Sequence, residues 1–172
     1  PRNVVIVGHN SKSRDIMNGF DSFCGEHQLE NGEILNITVI DDEQSLERNN
    51  YFQEYSYVTS YTAADIHDDK TICAAIEAAV DKHNGDTSIL ILSDDSAMTE
   101  DIDSTALTYL IYVQNIIQAR IAKDPDFDVA SLDVIVEILN PKNYDVVHNY
   151  SVNNVVISNR YISKMVTQVG RK

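Results

Sequence analysis

A chain of 172 residues is long enough to bury one substantial core. Its net charge of −14 excludes the clustered Lys and Arg of a nucleic-acid surface and disfavours docking on anionic lipid through charge alone. Hydrophobic and charged shares of 43% and 23% are ordinary for a globular domain, and no apolar run approaches the roughly 18–20 residues of a spanning helix.

Pro1 opens the chain without Met or a signal peptide, so residues 1–172 read as a single domain taken from a longer protein. Asn3-Val4-Val5-Ile6-Val7-Gly8 is a short apolar run closed by glycine, the pattern of a buried first strand. A polar turn, His9-Asn10-Ser11-Lys12-Ser13, follows, with Ser11 or Ser13 able to cap a helix. Ile16, Met17, Phe20, Phe23 and Cys24 recur at helical spacing, and Gly25 is a natural stop.

The second strand, Ile34–Ile40, ends in Asp41-Asp42-Glu43. Residues 44–57 predict a short helix or irregular segment, and Tyr57–Tyr61 a weaker third strand. Thr62-Ala63-Ala64-Asp65 has capping-box spacing, and Asp68 or Asp69 caps a helix through Ile72, Ile76, Ala79 and Val80 that ends at Asn84-Gly85.

Thr87-Ser88-Ile89-Leu90-Ile91-Leu92 is the fourth strand, running into Ser93-Asp94-Asp95. Thr99 or a nearby acid then starts a long helix, with Glu100, Asp101 and Asp103 in the first turn, where the helix dipole favours negative charge. Apolar residues from Ala106 to Ile121, with Tyr109 and Tyr112, cover more than one core-facing stripe, so this helix lies deep or meets a partner. Asp124-Pro125-Asp126 breaks it. Leu132–Leu139 is a fifth strand, 142–150 a polar connection or short helix, Asn154–Ser158 a sixth strand, and Tyr161–Val169 a final helix.

This order predicts an α/β fold: a doubly wound, Rossmann-like, mostly parallel six-stranded sheet with helices on both faces. The two cysteines, Cys24 and Cys73, fall on apolar helical positions and read as buried free thiols in a reducing compartment.

In such a sheet the first and fourth strands are neighbours, and ligands bind in the crevice at their carboxyl ends. Two ligand chemistries converge there. An adenine nucleotide would use the Gly8, His9, Asn10, Ser11, Lys12 turn, with Asp41 at the second strand's tip holding a ribose hydroxyl. Against it, only the first of the three fingerprint glycines is kept. A divalent cation such as Ca²⁺ would use Asp41, Asp42, Asp94 and Asp95, although acids at strand tips commonly do no more than cap helices. Catalysis is not expected. The five histidines show no metal-ligand spacing, and neither a nucleophile elbow nor a P-loop is present.

Several stretches together resemble the RCK (regulator of K⁺ conductance, TrkA-N-like) domains, closest to the Castor and Pollux branch of cation channels. They are Ser88–Asp95, Glu100-Asp101, the helix entry Asp103–Leu107, Glu137–Pro141 and Val156–Met165, with the strand–helix order covering the rest of the chain. The resemblance implies a cytoplasmic regulatory domain of a membrane protein, which pairs with itself, assembles into rings and gates a potassium-type pore on ligand binding. It also implies that residues 160–172 form a crossover helix reaching a partner domain. An NAD-type oxidoreductase-like domain is the alternative, disfavoured by the eroded glycine turn. A receiver domain would need a phosphorylatable Asp at the end of the third strand, where Ser60-Tyr61 stand.

Overall fold

The computed structural model describes residues 2–8, 13–26, 35–43, 54–55, 58–83, 87–94, 102–150 and 154–156. In chain order the elements are β1 (Arg2–Val7), α1 (Ser13–Glu26), β2 (Leu35–Asp41), β3 (Val58–Ala63), α2 (Asp69–His83) and β4 (Thr87–Ile91). They continue with α3 (Ser104–Lys123), β5 (Leu132–Glu137), the single turn α4 (Tyr144–Val147) and β6 (Asn154–Val156).

The strands lie in the order β3-β2-β1-β4-β5-β6, and every neighbouring pair is parallel. This is a Rossmann-like α/β arrangement. Strand order reverses between β1 and β4, where Val5 pairs with Ile89 and Val7 with Ile91. Connections leaving these two strands run in opposite directions, which opens a crevice at their carboxyl ends.

The strands read as apolar runs because they are buried through and through. Val5, Val7, Ile40, Ile89, Ile91, Val134 and Val136 pack with Ile72, Ile76 and Ala79 of α2 and with Ala106, Tyr109, Leu110, Val113 and Ile117 of α3. The alternating residues Val4, Ile6, Val39, Leu90 and Ile135 are equally buried. Each such side chain contributes roughly 1.5–3 kcal/mol, so this core can carry a few unfavourable groups at the sheet edge.

Helix α2 starts as its caps predict: the Asp68 carboxylate accepts from Thr71 N at 3.3 Å. Helix α3 ends at Lys123, just before Asp124-Pro125. It is not apolar on every side: Ile111 and Ile121 are exposed. Tyr112 ties it to the segment after β3 by donating to the Ile66 carbonyl at 2.6 Å.

Four sequence expectations need correction. Strand β3 runs on to Ala63, so Thr62 and Ala63 are strand residues and no capping box forms. Asp65 instead accepts from His67 N at 2.8 Å and closes a turn. Helix α3 begins at Ser104, which puts Asp103 at its N-cap rather than inside its first turn. Gly25 does not stop α1, which continues to Glu26. Strand β5 ends at Glu137, because the backbone N–H groups of Leu139 and Asn140 turn to the Asp103 carboxylate. Cys73 is a free, half-buried thiol. The expected final helix 161–169 and the partner segment 160–172 lie outside the described residues.

Candidate functional site: the crevice between the first and fourth strands

The crevice is built around Gly8. It continues the sheet by donating its N–H to the Ile40 carbonyl at 2.9 Å, and Leu92 N donates to Val7 O at 3.0 Å alongside. Gly8 then turns with φ of +90°, a region open to glycine and strained for other residues. A Cβ here would lie 2.7 Å from the Leu92 carbonyl oxygen and 3.4 Å from the Tyr109 ring. Backbone and ring therefore close on the turn from two sides, and only glycine fits.

Asp41 ends β2 beside it. Its backbone carbonyl accepts from Ala64 N at 2.9 Å, so the strand tip is pinned between its neighbours. The side chain is buried, 5% exposed. One carboxylate oxygen, Oδ1, accepts from Asp42 N at 2.7 Å. The other, Oδ2, is buried with no hydrogen-bond partner among the described residues. Burial pushes the carboxyl from an ordinary 3.8 up to about 7. The bond from Asp42 N pulls it back, while the charge of Asp42, a side-chain hydrogen bond with Asp42 and then the charge of Asp94 push it up again. Asp41 thus sits at the rim with an unused acceptor and a proton that it holds or releases near neutrality.

Tyr109 floors the same corner. It comes from the middle of α3, is 2% exposed, and presses its ring against the Gly8 turn. Burial raises its phenol far above the usual range, and the charges of Asp41 and then Asp42 add to the effect. The ring therefore lies against the β1 turn. Sequence reading treats Tyr109 as extra aromatic area, because nothing local marks a contact with Gly8.

Of the residues expected to bind ligand, Gly8, Asp41, Asp42 and Asp94 come together at this edge, the last two half-buried. His9, Asn10, Ser11, Lys12 and Asp95 lie outside the described residues. Among the described residues no group of three or more His, Cys, Asp and Glu is placed to hold a metal ion.

A second polar cluster joins the ends of β4 and β5. Asp103, 1% exposed, accepts from Ser93 Oγ at 2.8 Å, Leu139 N at 2.8 Å, Asn140 N at 2.9 Å and Asn143 Nδ2 at 2.7 Å. Buried Glu137 accepts from Ser93 N at 3.3 Å through Oε1. Every donor here meets a carboxylate or carbonyl, so the cluster works as a tie between two strand ends.

The fold and crevice define an α/β domain of Rossmann-like type. No family model matches the chain, and no curated protein matches it. Among solved structures, one titled "Crystal structure of KRED1-Pglu enzyme" is similar at 9% sequence identity and a TM-score of 0.47, covering 98% of this chain and 95% of that one. At that distance the chemistry of the crevice has to be read from this chain's own residues. Among the described residues, no helix is long and apolar enough to cross a membrane.

Proposed function

We propose that the chain is a ligand-sensing regulatory domain of the RCK type, which takes an adenine nucleotide in the crevice between β1 and β4. One observation carries the ligand reading: a buried carboxylate at the tip of β2 with an oxygen that, among the described residues, has no hydrogen-bond partner. An unpaired buried acceptor costs about 1–3 kcal/mol, a cost that a bound hydroxyl would remove. Gly8 lets the chain turn with positive φ between the Leu92 carbonyl and the Tyr109 ring, at the strand end where this fold takes its ligand. In this reading Asp41 holds ribose, and Lys12, outside the described residues, is the candidate for phosphate.

The wider reading carries the rest of the resemblance. In this reading the sheet is six-stranded with helices on both faces, in keeping with the burial of Val4 and Ile6 and of Ile16, Met17 and Phe20 of α1. The domain is cytoplasmic, pairs through residues 160–172, and passes ligand occupancy to the pore segments of a membrane protein. A Ca²⁺ site at this edge is the second reading, set back by the absence, among the described residues, of three acids placed to hold an ion, and by the proton that Asp41 retains near neutral pH.

Thermal-shift measurements with AMP, ATP, NAD⁺, NADH and Ca²⁺ test the ligand. A ligand at 100 times its Kd stabilises by about 2.7 kcal/mol, which raises Tm by roughly 5–10 °C for a domain of this size. A rise with a nucleotide that Asp41→Asn abolishes supports the reading. A rise with Ca²⁺ alone replaces it, and no response to any probe removes it. Light scattering tests the pairing: a monomer at high concentration contradicts it.

A further inference from the structure

We propose that the outer edge of β3 is a self-association surface, on which a second copy of this chain lays its own β3 antiparallel about a two-fold axis at Thr62. The proposal does not depend on what the crevice binds, and it adds a contact distinct from the pairing through residues 160–172. β3 closes one side of the sheet: among the described residues it pairs with β2 alone, and no strand lies beyond it. Ala64 N donates to the Asp41 carbonyl, which fixes the phase of the strand. Successive residues of an extended strand turn their backbone groups to opposite sides. Ser60 and Thr62 therefore face β2 as Ala64 does, while Tyr61 and Ala63 turn N–H and C=O to the outer edge. Thr59, the extra residue opposite the step from Ile37 to Thr38, ends this regular run.

Charge and shape both make a second copy the occupant. Natural sheet edges are commonly guarded by charged residues or proline, and Val58–Ala63 contains neither. In a chain of net charge −14, a neutral strand is where an equally charged copy approaches with least repulsion. The edge is also self-complementary. A two-fold at Thr62 sets Tyr61 opposite the partner's Ala63, and the reverse by symmetry, so both outward-turned residues of each strand are used in about four main-chain hydrogen bonds. Directly opposed side chains share a face of the sheet. The Tyr61 ring, 40% exposed, then lies over an exposed alanine, a large-on-small pair that the strand makes with itself twice.

Oxidative cross-linking of the full chain tests this, with wild type as the control for Cys24 and Cys73. Opposed residues at the two-fold lie about 4.5 Å apart at Cα, within the span of a disulfide, so Thr62→Cys should form a covalent dimer. Ser60→Cys, about 14 Å from its own copy along the strand, should give about tenfold less. Adding Ala63→Pro to Thr62→Cys should suppress the dimer, because it removes an outward N–H and leaves the ladder to β2 intact. Equal yields from Thr62→Cys and Ser60→Cys, no excess over wild type, or a dimer unaffected by Ala63→Pro overturns the inference. In that event a wild-type dimer in light scattering leaves the pairing through residues 160–172 standing, and a monomer removes both. If the proline variant does not fold, the comparison of Thr62→Cys with Ser60→Cys decides alone.

Discussion

Two buried carboxylates sit at the same edge of one sheet and are treated in opposite ways. Asp103 accepts from four donors on three segments, the end of β4, the loop after β5 and Asn143. Asp41 accepts from one, the next backbone N–H, and its second oxygen has no hydrogen-bond partner among the described residues. Their exposures are 1% and 5%, so depth does not separate them. Satisfaction does. A fully bonded carboxylate is a structural tie, whereas an underused one is a local cost kept where a ligand can relieve it.

The comparison predicts its own breaking points. Asp103→Ala should be the most damaging change, at about 3–5 kcal/mol, since it removes the acceptor of two backbone N–H groups and of the Asn143 amide, while Ser93 keeps the Glu137 carbonyl. Urea unfolding measures it, and a loss below about 1 kcal/mol would mean that the tie carries little.

Asp41→Asn should act in the opposite direction. The carboxyl titrates near 3.8 unfolded and about 7 folded, so the folded state holds the extra proton between those values. Wild-type stability from this group is full below pH 4 and falls as pH rises through 7. A shift of this size is worth on the order of 4 kcal/mol as an upper bound. Asp41→Asn should therefore match wild type near pH 4 and exceed it by roughly 2–4 kcal/mol at pH 8. A stability difference that does not change with pH would contradict the buried, underused carboxyl.

Gly8→Ala should cost about 2–3 kcal/mol, from the positive φ and the overlap with the Leu92 carbonyl. It should also weaken nucleotide binding by crowding the turn. Tyr112→Phe is the smallest, about 1 kcal/mol for the lost bond to the Ile66 carbonyl, with no effect on binding. That pairing separates α3's role as a strut from its role at the crevice.

Much of the crevice can be read from residue order. The runs Val4–Val7 and Ile89–Leu92, each buried on both sides, place a glycine turn and an acid tip at neighbouring strand ends without any three-dimensional information. The polar tie is invisible at that level. Asp103 resembles a helix-dipole acid because its true partners, Leu139, Asn140 and Asn143, lie 36 to 40 residues downstream. Tyr109 escapes notice for the same reason, since helical spacing marks it as core and says nothing of Gly8. Thr62–Asp65 misleads in another way. Its capping-box spacing is real, but pairing of Thr62 with Ile40 and Ala63 with Asp41 extends β3 and outcompetes a helix start.

The central claim is that the Asp41 corner is left unsatisfied for a ligand. Unfolding of wild type and Asp41→Asn at pH 7.5, each with and without saturating AMP or NAD⁺, tests it most directly. The account predicts that the nucleotide stabilises wild type by 2 kcal/mol or more, roughly the effect of a ligand well above its Kd, and leaves Asp41→Asn nearly unchanged. Equal stabilisation of both proteins, or of neither, would contradict it.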